Sequence, residues 1–303
     1  MNGLCQTTVD LLRSHGLDVD DVQRVVRTAL AEDLRLGLDV TTLATVGPDA
    51  RATGSVVPRS PGVLAGLGVA LAVLDNALGA AGGYTVEHLA EDGSRAVPGQ
   101  ALLTVTAPTA ALLTAERTML NLLCHLCGVA TATDAWVTAV AGTRCRIRDT
   151  RKTLPGLRQL QKHAVRAGGG VNHRMALGDA ALIKDNHVLA AGGVVAAMRL
   201  VRAAAPTLHC EVEVDSLDQL EEVLAEGADL VLLDNFSVPD TVEAVLCRDA
   251  RSPETGLESS GGLSLEVAAQ YAGTGVDYLA VGALTHSATA LDLGFDLSGL
   301  DLD

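Results

Sequence analysis

Hydrophobic and polar positions follow two regimes along the chain. From about residue 8 to residue 35, Val22, Val25, Val26, Ala29 and Leu30 recur at helical spacing, which predicts one amphipathic helix ended by Gly37 and the Asp39-Val-Thr-Thr run. Strand-like runs follow at 52–58, 84–89 and 101–106, set off by Gly and Pro, with an apolar helix over 67–78 between the first two. Residues 109 to about 141 read as a long, mostly apolar helix broken at Gly128. Such a helix cannot bury every face against one small sheet, so it implies a domain junction or a subunit contact. This first third brings few polar groups together and reads as a wall rather than a reaction centre.

From Arg146 the pattern changes to strand, loop and helix, repeated. Strand-like segments lie at 146–149, 181–184, 208–214, 230–233, 255–258 and 278–281, with helical runs between them such as 217–225 and 265–271. Alternation of this length implies a parallel sheet with helices outside it, and short apolar strands suit burial on both faces. Six strands are clear and a seventh or eighth is sought in less patterned sequence, so the expected barrel is incomplete. The strands end in DTRK, KDNH, EVEVD, LLDN, ESSGG and VGALTHS. In (β/α) barrels those carboxyl ends share one face, where loops build the active site. Charged or Gly-rich tips on strand after strand therefore place a functional site there.

Composition sharpens this picture. Of 303 residues, 48% are apolar and only 2% aromatic, so the core is built from Ala, Val and Leu. The net charge of −15 argues against nucleic acid or an anionic membrane as partner, since both favour basic surfaces. Against that background residues 148–187 hold 8 of the 22 Lys and Arg but 3 of the 37 Asp and Glu, including all three lysines, Lys152, Lys162 and Lys184. Lys supplies a compact point charge and Arg a rigid fork, a mixture suited to a small polyanion. The N-terminus lacks the pattern of a signal peptide, and the apolar window 62–83 is interrupted by Asp75 and Asn76, so no membrane span is expected. Six scattered cysteines suit reduced thiols of a cytoplasmic protein. Cys124 and Cys127 read as small helix-packing residues, because no second close pair completes a zinc site.

The candidate chemistry sorts by residue type. Arg151, Lys152, Arg174 and Lys184 supply positive charge, and His173 a donor or proton carrier. Glu213 and Asp234, at the ends of consecutive strands, supply carboxylates that hold Mg²⁺ or accept from sugar hydroxyls. Ser260-Gly261-Gly262 and Gly282-Ala283 follow the last two clear strands, where many barrels bind phosphate through backbone N–H groups. The inventory describes a sugar phosphate with a further anionic group and a metal. No GxSxG, HExxH, GxxxxGK[ST] or strand-to-helix GxGxxG is present. Lys162, in the helical run LRQLQKHAV, is expected to be a solvated surface charge, and His163, His187 and His209 structural or surface groups.

The runs LTAERTMLNLLCHLCGVAT, DTRKTLPGLR, AVRAGGGVNHRMALGDAALIKDNH, EVEVDS, LLDN, SSGG and VDYLAVGALTHS, in this order, resemble the quinolinate phosphoribosyltransferases, and AEDLRLGLDVTT and SPGVLAG extend the likeness over nearly the whole chain. The resemblance implies an α/β fold: an N-terminal α/β sandwich domain over 1–119, joined by a C-terminal tail over 288–303, and an open, incomplete barrel of about seven strands over 120–287. It implies that quinolinate and phosphoribosyl pyrophosphate react, with Mg²⁺, to nicotinate mononucleotide, carbon dioxide and pyrophosphate, a step of NAD synthesis. It implies a homodimer or an assembly of dimers, with the site shared between subunits. Carried over by position, Arg117, Arg151, His173, Arg174 and Lys184 would hold the quinolinate carboxylates. Lys152 and Lys184 would face the pyrophosphate, Glu213 and Asp234 the ribose hydroxyls or the metal, and Ser260, Gly261, Gly282 and His286 the phosphate end. Lys152, Lys184, Glu213 and Asp234 are the implied catalytic set. Cys127 stands where the family commonly has Ser, and Gln161 where it has Glu. Three other readings compete: a related phosphoribosyltransferase-like protein of molybdenum transport, a non-catalytic phosphometabolite-binding barrel, and a sugar-phosphate aldolase using Lys184 as a Schiff base.

Overall fold

The computed structural model describes residues 3–78 and 83–299. The chain divides into two compact units, one of residues 1–132, 153–169 and 285–303, the other of 133–152 and 170–284.

The first unit opens with α1 (Gln6–Ser14) and α2 (Val19–Asp33), where the apolar spacing predicted a single helix. Gly16, in the left-handed region at φ 68°, turns the chain, and the Asp18 side chain accepts from Asp21 N to start α2. The apolar rhythm carries through the turn because Leu12, Leu17 and Val22 all reach the core. Asp39 caps the short α3 (Val40–Thr45). There follow β1 (Arg51–Pro58), β2 (Gly62–Val63), α4 (Leu67–Leu78), β3 (Thr85–Leu89), β4 (Arg95–Ala96), β5 (Leu103–Pro108) and α5 (Thr109–Ala139). β1, β3 and β5 join an antiparallel sheet with the C-terminal strand Leu293–Ser298, which pairs with β1 in the register Val56 to Phe295. β5 buries Leu103, Val105 and Ala107 on alternate positions, the period of a half-buried strand.

α5 runs without interruption through Gly128. A Cβ at Gly128 would lie 2.2 Å from the Thr289 carbonyl oxygen, so this glycine admits another backbone instead of ending the helix. α5 is long and apolar enough to cross a membrane, yet it buries Leu112, Met119, Leu123 and Leu126 in the manner of a core helix. The Cys127 thiol lies 3.4 Å from Ala65 N, a packing role as expected, and all six cysteines are free. α6 (Arg158–Ala167) belongs to this unit and buries Leu160, Gln161, Ala164 and Val165. Lys162 is also fully buried, which overturns the expected solvated charge. The polar run shows only that α6 is amphipathic; which side faces protein depends on what lies opposite.

The second unit is an open parallel sheet of six strands: β6 (Arg146–Arg148), β7 (Ala181–Ile183), β8 (Cys210–Val214), β9 (Leu230–Asp234), β10 (Gly256–Ser260) and β11 (Tyr278–Ala280). Their order is β6-β11-β10-β9-β8-β7, so chain-adjacent strands are mostly neighbours. The count is six rather than about seven, and a single parallel bridge from Arg148 to Val171 stands where a further strand would add to β6. Helices α7 (Asp185–Ala191), α8 (Val194–Ala204), α9 (Leu217–Ala225) and α10 (Val238–Arg251) occupy the connections. Register fixes the polar face: Arg148 stands opposite Ala280, Ala280 opposite Ser260, and Ser260 opposite Asp234. Two residues earlier on the same face lie Tyr278, Glu258 and Leu232, with Glu213 opposite Leu232.

The close approach at Gly128 is a test of this packing. Gly128→Ala is expected to lower unfolding free energy by about 1–3 kcal/mol through overpacking, read as a lower Tm. Gly47→Ala, where a Cβ meets nothing within 4 Å, is expected to leave Tm nearly unchanged.

Candidate active site

At the carboxyl ends of the second unit's strands lies a cavity of about 530 Å³. Thr150, Arg151 and Lys152 follow β6, Lys184 follows β7, and Glu213 comes from β8. Asp234 and Asn235 end β9, and Ser260, Gly261 and Gly262 end β10. His173 and Arg174 enter from the segment before β7. Lys152, Arg174, Lys184, Glu213 and Asp234 therefore share one cavity. Arg117 does not line it: it belongs to the first unit, largely exposed on α5 and 4.0 Å from Glu116. Gly282 is not among the lining residues either, and His286, in the first unit, bonds to Ser287.

Each tip is held by local structure. Lys184 is the N-cap of α7; its backbone N–H donates to His187 Nδ1 at 2.9 Å, and its ammonium pairs with Glu213. Asp149, fully buried, accepts from His173 N at 2.9 Å and from the Asn172 amide at 2.5 Å. That fixes the turn carrying His173 and Arg174. Arg174 donates to the Ala180 carbonyl at 3.0 Å. Burial, and then the neighbouring Arg151, lower its pKa below the ordinary guanidinium value, so this corner favours an anion. Asn235 sits in the left-handed region at φ 57°, rare for a residue with a side chain, and donates to Asp234 at 2.8 Å. Gly261, at φ 92°, faces it; a Cβ there would lie 2.2 Å from Asn235 Oδ1.

With this geometry in place, comparison with known proteins is decisive. The family patterns described as quinolinate phosphoribosyl transferase, N-terminal domain and C-terminal domain, match residues 39–127 and 129–296. The carboxylating nicotinate-nucleotide pyrophosphorylase of Mycobacterium leprae is 65% identical over 280 residues, 92% of this chain and 98% of that protein. The chain belongs to the quinolinate phosphoribosyltransferase family. The human carboxylating nicotinate-nucleotide pyrophosphorylase is 39% identical over 79% of this chain and 80% of its own. The structure of NadC from Streptococcus pyogenes superposes with a TM-score of 0.86 at 38% identity, covering 95% of this chain and 99% of that one.

Beneath the cavity of this quinolinate phosphoribosyltransferase-family chain lies a buried charge cluster that the strand tips did not reveal. Arg148 donates to Glu258 at 2.7 Å and stacks over the Tyr278 ring, 4.8 Å from its centroid. His173 Nε2 lies 2.8 Å from Glu211 and 3.8 Å from Glu258. One side-chain atom each of His173, Glu211 and Glu258 lies within 4.8 Å of the other two. Burial, then the charge of Glu211, push Glu258 up to about 7 against the pull of Arg148 and His173. Burial likewise raises Glu211, which Arg148 opposes. The signal was present: Glu211 lies two positions before Glu213, hence on the same strand face, and Glu258 lies two before Ser260.

Both raised carboxyls bind protons in the folded chain that the unfolded chain releases at ordinary carboxylate pH. The contribution of Glu258 to stability is full below about pH 4.5 and is lost as pH rises through about 7, and Glu211 acts in the same direction. In Glu211→Gln one acid is gone and Glu258 pairs with Arg148 alone, so the difference in Tm, wild type minus variant, is expected to fall as pH rises from about 5 to about 8. A difference flat across that range contradicts the effect of Glu211 on Glu258.

Proposed function

We propose that this chain catalyses phosphoribosyl transfer from phosphoribosyl pyrophosphate to quinolinate with decarboxylation, giving nicotinate mononucleotide, carbon dioxide and pyrophosphate. The observation that carries this reading is the convergence of Lys152, Arg174, Lys184, Glu213 and Asp234 on one cavity in a chain of this family. A site lined by Arg151, Lys152, Arg174 and Lys184 together with Glu213 and Asp234 suits a dicarboxylate beside a polyphosphorylated sugar.

The residue roles follow from the chemistry. Arg151 and Arg174 present guanidinium forks able to pair a carboxylate through two hydrogen bonds, and His173, held from below by Glu211, orients the same ring. The pyridine nitrogen attacks the anomeric carbon as its bond to the pyrophosphate oxygen breaks, and that electron pair leaves with pyrophosphate. Lys152 and Lys184 neutralise the charge growing on the leaving group, stabilisation of a kind that contributes several kcal/mol. The ring nitrogen is then cationic and stabilises the carbanion left when the adjacent carboxylate departs as carbon dioxide; a proton takes its place. Gly261 and Gly262 bring backbone close to the 5′-phosphate beside Ser260. Gly282 and His286 are proposed at this phosphate end, and Arg117 as the residue that a partner subunit's site would receive.

The carboxylates fit Mg²⁺. Glu213 and Asp234 offer hard oxygens on adjacent strands facing the cavity, the one or two protein ligands that this ion takes beside substrate phosphate. Bound there, Mg²⁺ would supply charge neutralisation to the pyrophosphate. A homodimer or assembly of dimers, and a cytoplasmic setting consistent with six free cysteines, belong to the same proposal.

Two measurements test it. With Mg²⁺ present, quinolinate but not nicotinate is expected to consume phosphoribosyl pyrophosphate and release pyrophosphate; ligand binding without release would favour a non-catalytic barrel. Arg174→Ala is expected to lower quinolinate turnover at least about tenfold, the effect of about 1.4 kcal/mol of transition-state stabilisation. Unchanged turnover removes Arg174 from the site.

A further inference from the structure

The first unit gathers two imidazoles and a carboxylate from three distant segments. His15 ends α1, Asp92 lies in the turn between β3 and β4, and His163 projects from α6. Asp92 Oδ2 is 2.7 Å from His163 Nε2 and 3.5 Å from His15 Nδ1, and the three atoms lie within 4.8 Å of one another. The two rings stack with centroids 5.0 Å apart. Nothing in the proposed reaction uses this cluster.

Three features go beyond ordinary packing. First, the carboxylate is aimed: Gly66 N and Leu67 N donate to its two oxygens at 2.8 and 3.0 Å, which locks it against rotation. Second, His15 Nδ1 is buried, points at this carboxylate, and has no hydrogen-bond partner. A buried polar nitrogen left unsatisfied is costly, and a bound ion is one of the few things that relieves it. Third, the His15 segment is itself anchored from the same helix as His163, since Arg166 donates to the His15 carbonyl at 2.7 Å. The ligand directions are thus set by supports one layer out, as metal sites require.

We propose that His15, Asp92 and His163 bind one divalent transition-metal ion of the zinc type. Two imidazole nitrogens and one carboxylate oxygen make a borderline donor set, matched to zinc-like ions rather than to Mg²⁺ or Ca²⁺, which take oxygen ligands. Ligands at about 2.0–2.2 Å from a tetrahedral ion stand about 3.3–3.6 Å apart. The His15–Asp92 separation of 3.5 Å already meets this. The His163–Asp92 pair, at 2.7 Å, opens by less than an ångström as the ion takes the place of the Nε2 proton. The bound ring is neutral with its proton on Nδ1, reached by tautomer exchange from the neutral ring or by loss of the Nε2 proton to solvent from the imidazolium. His15 coordinates through the Nδ1 lone pair with its own proton on Nε2. Water fills the fourth position on the side where His15 is 23% exposed; Asp92 and His163 are 3% and 5% exposed and close the other sides. The ion clamps α1, the Asp92 turn and α6, a structural role independent of catalysis.

The test uses the full chain, stripped by chelator and titrated with Co²⁺ or Zn²⁺ in excess Mg²⁺, which occupies hard-oxygen sites. One ion per chain is expected, with the visible absorption of tetrahedral Co²⁺ and a rise in Tm on adding Zn²⁺. His15→Gln is expected to weaken binding at least tenfold and abolish the Tm rise, while quinolinate turnover stays near wild type and metal-free Tm falls only by the lost stack on His163, because His15 Nδ1 makes no hydrogen bond to lose. Paramagnetic shifts of two imidazoles in the Co²⁺-loaded wild type read the ligands directly, whether or not a variant folds. No binding in excess Mg²⁺, affinity unchanged in both His15→Gln and His163→Gln, or the absence of shifted imidazoles each overturns the proposal.

Discussion

The second unit depends on a guanidinium placed under its reaction cavity. Two carboxyl groups, Glu211 and Glu258, sit on the inner face of neighbouring parts of the sheet with almost no access to solvent. Unpaired, two buried acids would repel or force a strand apart. Arg148 resolves the conflict from the edge strand β6 by pairing with Glu258, and the raised pKa of both acids, which favours their neutral forms, eases what remains. His173 then has a fixed acceptor at 2.8 Å, and the turn that carries Arg174 inherits its position. Beside the cations of the cavity stand Glu258 and the His173–Glu211 pair, so the positive cup does not rest on a bare low-dielectric wall.

The first unit solves a different problem, that of closing a sheet with segments from both ends of the chain. The C-terminal strand pairs along β1 over six residues, and the segment leading to it lies against α5 at Gly128. The Leu291 N–H donates to the Cys124 carbonyl at 2.8 Å, so the approach is hydrogen-bonded as well as close. A helix that looked interrupted is continuous because its glycine serves a neighbour.

Much of this was legible in the sequence, and the failures share a cause. The nine strands marked by the pattern lie within a residue or two of those observed because alternation and apolar runs are local signals, whereas the two-residue β2 and β4 and the C-terminal strand Leu293–Ser298 were not marked. The cavity residues were found because charge at successive strand tips needs only the parallel order of the sheet to converge. Gly128, Lys162 and the split at Gly16 were misread because each depends on what packs opposite, which a single stretch of chain does not display. The same blindness hid Glu211 and Glu258: an acid inside an apolar strand reads as an exception until the opposing arginine is in view. The first third was read as a wall, whereas His15, Asp92 and His163 become neighbours only after three separate segments fold together.

The interlock of Asn235 with Gly261 bears on how this chain is free to vary. The side-chain oxygen of one fills the space where the other would carry its first carbon, while both backbones occupy the left-handed region. Enlarging position 261 requires a smaller neighbour beforehand, and a branched residue at 235 would surrender the turn itself. Divergence at these sites must pass through paired changes in a set order, so the pair should drift as one character rather than two.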